Sequence, residues 1–163
     1  MATPTTLPAT FVAGNVLTAA QMNDLRGAFR ILQVVRATDT TNRSTTSTSY
    51  VDASLSVTIT PTQSDSAIIV IASVNQGTSS SDKTVYLQIT DSSDNAISGA
   101  EDSQQGNSAI LYTLQRHLIA YATPATTSAT TYKLRFKAGG GGSTTTIYNG
   151  ATTGQMYAIE VSA

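Results

Sequence analysis

His117 is the one histidine of the 163-residue chain, and it follows Arg116 in a stretch that alternates as a strand does. A lone imidazole without HxxxH or HxE spacing is a poor metal ligand set. A nucleophilic triad needs a Ser and an Asp beside it, and the sequence holds no GxSxG turn. A histidine on the solvent face or at a subunit contact is therefore expected. Asp91, Asp94, Glu101 and Asp102 form an acidic group in what reads as loop sequence. Calcium loops require DxDxDG-type spacing, which is absent; side-chain capping of a turn accounts for these residues. Glu101 and Glu160 lack any spacing that suggests a glycosidase pair. Gly139 to Gly142 with Ser143 lack the Lys-Ser/Thr and the helix of a phosphate loop, so a mobile hairpin tip is expected. Lys133, Arg135 and Lys137 share one strand face, but three cations in a chain of net charge −1 make no nucleic-acid footprint. Solvent, or Asp residues of a neighbouring copy, are their expected partners. With no cysteine, disulfides and thiolate metal sites are excluded. The expectation is a non-enzymatic protein with no metal and no cofactor.

Polarity here comes without charge. Thr occurs 28 times and Ser 19 times, whereas charged residues are 12% of the chain. Thr is β-branched and suits a half-exposed pleated surface. A Thr/Ser-covered surface carries little repulsion between neighbours, which suits domains that stand side by side. Neither clustered Lys/Arg for nucleic acid nor an apolar run near the ~20 residues of a membrane span is present. The first residues lack a signal-peptide pattern.

Residues 1–17 are rich in Pro, Thr and Ala, and Pro4 and Pro8 favour an extended arm. Residues 18–32 read as one short helix. Thr18 and Gln21 have capping-box spacing, and Leu17 and Met22 have that of a hydrophobic staple. Met22, Leu25, Phe29 and Leu32 recur at steps of 3, 4 and 3 and so share a face. A helix this short is marginal alone, so the stripe should be buried. It can pack on the chain's own sheet, or against copies of itself around a threefold axis, where 3-4-3 spacing forms a seam.

From Ile31 the period changes to two. Strands are expected over 31–38, around Leu55–Ile59, over the apolar run Ile68–Val74 (buried on both faces), and around Val85–Ile89. Ala109–Ala122 reads as a long strand or hairpin, with further strands at Tyr132–Phe136, Thr144–Tyr148 and Met156–Val161. Thr40–Ser49 reads as a loop or irregular edge and Asp91–Asn95 as a turn. About eight strands with regular turn signals imply a mainly β chain: an antiparallel, jelly-roll-like β-sandwich over 33–163, preceded by the arm and helix of 1–32.

The segment Phe11-Val-Ala-Gly-Asn-Val-Leu-Thr-Ala-Ala-Gln-Met-Asn23 resembles a motif of structural proteins of tailed bacteriophages, which carry "VLTAAQMN" or "VLTAAQLN" near the start. The progression Ser44-Thr-Thr-Ser-Thr-Ser-Tyr-Val-Asp52, Leu55-Ser-Val-Thr-Ile-Thr-Pro61 and Ala67-Ile-Ile-Val-Ile71 is similar to the same class, which includes tail-fibre, minor tail and capsid-surface proteins. The resemblance covers residues 11–75. It implies a virion location, a trimeric β-sandwich, and an N-terminal segment that attaches it to other virion proteins of capsid or tail. On that basis Phe11, Val12, Val16 and Leu17 are the expected particle anchor, and Met22, Leu25, Phe29 and Leu32 the trimer packing. The alternative is a receptor- or carbohydrate-binding module that stacks host surface glycan on Tyr112, Tyr121, Tyr148 or Tyr157. No nucleic acid or membrane partner is expected.

Overall fold

The computed structural model describes residues 31–79, 83–105 and 113–162, preceded by the single positions Gly14, Val16, Thr18 and Ala19. The expected anchor and packing residues Phe11, Val12, Leu17, Met22, Leu25 and Phe29 lie outside these. So do residues 109–112 of the expected long strand.

Among the described residues ten strands form two antiparallel sheets: β1 (Ile31–Asp39), β2 (Arg43–Thr45), β3 (Val51–Ile59), β4 (Ala67–Thr78), β5 (Thr84–Thr90), β6 (Ala96–Gln105), β7 (Thr113–Ala122), β8 (Thr130–Ala138), β9 (Thr145–Ile147) and β10 (Gly154–Val161). The longest, β4, is the spine of sheet A. Along one edge it pairs first with β10 and then with β9, and along the other with β7. β1 closes the β10 side and the short β2 pairs with β9. Sheet B has the order β3-β8-β5-β6. The mainly β, antiparallel sandwich expected from the alternation is what forms.

Alternation decides which side chains meet. Leu55, Val57 and Ile59 of β3, Leu87 and Ile89 of β5, and Tyr132, Leu134 and Phe136 of β8 face Ile68, Val70, Ala72 and Val74 of β4 and Met156 and Ala158 of β10. Each large side chain buried in this way contributes roughly 1.5–3 kcal/mol. In β3 the pairing with β8 shifts register at a bulge between Asp52 and Ser56, while the alternation runs on unbroken. Ser54 sits there at φ 56°, and the Asp52 carboxylate accepts its N–H at 2.6 Å.

Four expectations need correction. The helix expected over 18–32 does not extend through Leu32, because Ile31 and Leu32 open β1. The stretch around Glu101 and Asp102 is not loop but β6. Its sequence AISGAEDSQQ is polar because it is an edge strand with few inward positions. The glycine segment 139–142 is no hairpin tip: it carries the chain from β8 in sheet B to β9 in sheet A. It is also pinned. Gly139 donates its N–H to the Thr84 carbonyl at 2.7 Å, and the buried hydroxyls of Ser143 and Thr78 lie 2.7 Å apart. Finally, β4 is buried on one face only; on the other, Ile69 and Ile71 remain half-buried.

Candidate functional site: two unlike faces

The residues singled out for chemistry are engaged within the chain. Asp91 caps its turn, accepting the N–H of Ser93 at 2.8 Å and that of Asn95 at 2.9 Å. The side-chain bond from Asn95 is the main cause holding its carboxyl below the usual range. Asp94, at φ 69°, pairs with Lys133 and, at 3.5 Å, with Arg135. Its pKa is lowered, foremost by the Lys133 bond. Lys133 and Arg135 of the basic stripe thus pair with an Asp of the same chain. Arg135 also donates to the Tyr50 carbonyl at 2.7 Å, and Lys137 lies between the rings of Tyr50 and Tyr86 at 4.5 and 4.9 Å. Asp102 of β6 pairs with Arg116 of β7 and ties the two sheets together at that edge. Glu101 accepts from Gln88.

Glu160 is fully buried in β10. One carboxylate oxygen accepts the Thr62 N–H at 2.7 Å, the Thr62 hydroxyl at 2.9 Å and the Gln63 N–H at 3.3 Å; the other accepts the Gln33 amide at 2.6 Å. Gln33 also donates to the Thr60 carbonyl at 2.6 Å. Burial pushes this carboxyl up, but the bonds from Gln33 and Thr62 outweigh it and leave the pKa lowered. Glu160 therefore fastens the β3–β4 connection to β1 and β10. It lies in the opposite sheet from Glu101 and forms no pair with it. A charged residue in the inward phase of β10, after Met156 and Ala158, was the sequence signal for this bond. Among the described residues no group of three His, Cys, Asp or Glu is placed to hold a metal.

The outer face of sheet B carries Glu101 and the group of Asp94, Lys133 and Arg135. The outer face of sheet A is different. Reading across the register, Val34, Ile159, Ile69 and Tyr121 form one row over β1, β10, β4 and β7. Arg36, Tyr157, Ile71 and Ile119 form the next, and the Arg36 guanidinium lies over the Tyr157 ring at 5.9 Å. A polar row of Thr38, Gln155, Ser73 and His117 follows. Val34, Ile119 and Tyr121 are 56%, 63% and 65% exposed. The outward positions of these rows hold no Asp, Glu or Lys. His117 stands there exposed, opposite Ser73. The sequence signal for this face was apolar residues in both phases of one strand: Val34-Val35, Ile68 to Ile71, Leu118 to Tyr121 and Met156 to Ile159.

Of the remaining expected residues, Val16 is 89% exposed and Leu32 half-buried in β1. Tyr148 and Tyr157 are half-buried, and Tyr112 lies outside the described residues. Tyr121 lies at the rim of a cleft of about 430 Å³ between the Asp91–Ser98 turn and the β7–β8 connection. Tyr132 also lines it. Its hydroxyl is buried without a hydrogen-bond partner among the described residues, and burial, with the Asp91 charge second, pushes its pKa up to about 12.

No family model and no curated protein matches the chain. Among solved structures, the infectious bursal disease virus Gx strain matches at 12% identity and TM-score 0.44, over 80% of this chain and 37% of that one. The VP2 subviral particle of the same virus matches at 13% identity and TM-score 0.38, over 80% and 38%. The chain thus spans less than two-fifths of the length of these structures. Likeness this loose leaves function to the chemistry of the surface.

Proposed function

We propose that the chain is a non-enzymatic structural component of a tailed-phage virion. It is a trimeric surface protein of the capsid-decoration, spike or tail-tip type, held to the particle through residues 1–32. One observation carries the non-enzymatic part. The carboxylates and cations that invited a chemical role serve as links within the chain: Glu160 to a connection, Asp94 to Lys133, Asp102 to Arg116. The similarity of residues 11–75 to phage structural proteins supports the virion part. In this reading Phe11, Val12, Val16 and Leu17 contact the particle, and Met22, Leu25 and Phe29 meet around the axis. Three copies present three anchors at once and raise the effective concentration of each weak contact.

The experiment is antibody labelling of intact particles, repeated with Leu25→Asp. Label on the particle, lost with the variant, supports the reading. Label absent from particles made with the wild-type chain contradicts it.

One observation favours a second reading, a glycan-binding module. The exposed Tyr121 ring borders the cleft, beside Ser92 and Thr126. Glycan-array binding that Tyr121→Ala abolishes would support this reading; an array without signal would remove it.

A further inference from the structure

We infer that Asn149 is a latent modification site. Its side-chain amide converts to aspartate or isoaspartate only when the β9–β10 corner opens, because the closed corner withholds what that reaction needs. The site is independent of where the chain sits on a particle and of any glycan.

Asn149-Gly150 is the one Asn-Gly pair of the sequence. Glycine has no Cβ to shield its own amide nitrogen, so in an unfolded chain this pair cyclises readily. The Gly150 nitrogen loses its proton to solvent base and attacks Cγ of Asn149. The charge of that addition falls on Oδ1. The Cγ–Nδ2 bond then breaks, and the side-chain nitrogen leaves as ammonia with a proton from water. Water opens the resulting five-membered imide at either carbonyl, giving aspartate or isoaspartate. The sum is one water consumed and one ammonia released.

Each step is opposed at this corner. The nucleophile is engaged: Gly150 donates its N–H to Asn42 Oδ1 at 2.8 Å. An amide oxygen accepts that bond but is too weak a base to take the proton. The leaving group is engaged as well: Asn149 Nδ2 donates to Asp39 Oδ2 at 2.9 Å. An ionised carboxylate only accepts, so it supplies no proton to departing ammonia. Asp39 is itself fixed by the Thr41 N–H at 3.1 Å and by Arg43 at 3.4 Å. The oxyanion is unsupported: Asn149 is 1% exposed, and its Oδ1 has no hydrogen-bond partner among the described residues. Charge developing there would be buried, unpaired and close to the Asp39 carboxylate. Close packing restrains the amide, since a Cβ on Gly154 would run into it.

Conversion is one-way. A carboxylate at position 149 would set an acceptor against Asp39 where a donor stood, a like-charge contact in a buried place. Isoaspartate would also lengthen the main chain ahead of Gly150 and carry its N–H away from Asn42. A chain that has opened and reacted does not close as before.

The test incubates the full chain at mildly alkaline pH and follows Asn149 by peptide mapping in a mass spectrometer, which separates the amide from its two products. Folded wild type should convert at least roughly tenfold more slowly than the same chain in urea. Asn42→Ala, at an exposed position, frees the Gly150 N–H. It should speed conversion of the folded chain about fivefold, with circular dichroism unchanged. Ser54→Val strains β3 of sheet B and controls for lower global stability; its rate should stay near that of the wild type. Equal rates in folded and urea-unfolded wild type would overturn the inference. So would Asn42→Ala reacting at the wild-type rate, or Ser54→Val reacting as fast as Asn42→Ala.

Discussion

Val34 on β1 and Tyr121 on β7 stand at opposite ends of one apolar row, joined across sheet A through Ile159 and Ile69. Both are more than half exposed. The row gives the sandwich two unlike sides. One holds the ion pairs of Asp94 with Lys133 and Arg135, and the other has aliphatic and aromatic side chains with almost no charge. An antiparallel sheet with one solvated side ordinarily alternates apolar-in and polar-out. Sheet A departs from that over four neighbouring strands.

Glu160 makes stability depend on acid. Its folded pKa lies below its ordinary value, so its contribution is complete above about 4.5 and is lost as pH falls through the folded value. Urea unfolding midpoints should be flat from neutrality to about pH 5 and then decline, with Glu160 as one contributor. Glu160→Gln puts an amide donor against the donors of Thr62 or Gln33, and should cost about 1–3 kcal/mol at pH 7. The variant should also show a shallower acid decline. An unchanged pH profile would mean that Glu160 does not carry this bond.

Gly154 opens β10 against a buried side chain. A Cβ there would run into the Asn149 amide group, and Asn149 donates to the Asp39 carboxylate at 2.9 Å. Gly154→Ala should displace Asn149 and cost about 1–3 kcal/mol. Gly141→Ala meets open space and should stay within about 0.5 kcal/mol of wild type. Thermal unfolding of the pair separates close packing from a general dislike of substituted glycines.

Tyr132 offers the reverse case. Its ring fills the core, but its hydroxyl is buried without a partner among the described residues. Tyr132→Phe removes the orphaned group and keeps the ring, so stability should hold or rise by up to about 1 kcal/mol. The phenol should titrate late, near pH 12, when followed by ultraviolet absorbance. A loss of stability in Tyr132→Phe would show that the hydroxyl has a partner in solution.

Ser54 tests the β3 bulge. At φ 56° a β-branched side chain is strained, and Ser54→Val should cost about 1–2 kcal/mol. Ser54→Gly should be neutral or slightly stabilising, since the Asp52 bond to the residue 54 N–H is kept. Equal melting temperatures for the two variants would contradict the left-handed geometry.

Alternation made most of the fold legible. Tyr132, Leu134 and Phe136 announced β8, and Val85, Leu87 and Ile89 announced β5, because inward residues there have no polar competitors. β6 escaped because only Ile97 and Ala100 are apolar side chains turned inward on it, and Gly99 at φ 78° breaks its phase. Sheet membership was not legible at Gly139–Gly142. A glycine run marks a change of direction but not whether the chain stays in its sheet. The apolar face was visible only as strands apolar in both phases, as in Ile68–Ile71. Such a run reads as double burial until the pairing shows one side open. The role of Glu160 needed the structure, since its donors Gln33 and Thr62 are 127 and 98 residues away.

The most direct measurement is the mass of the intact chain in solution by light scattering. Association through the N-terminal segment predicts a particle of three times 16.9 kDa that dissociates in Leu25→Asp. A single species of 16.9 kDa at all concentrations would contradict it.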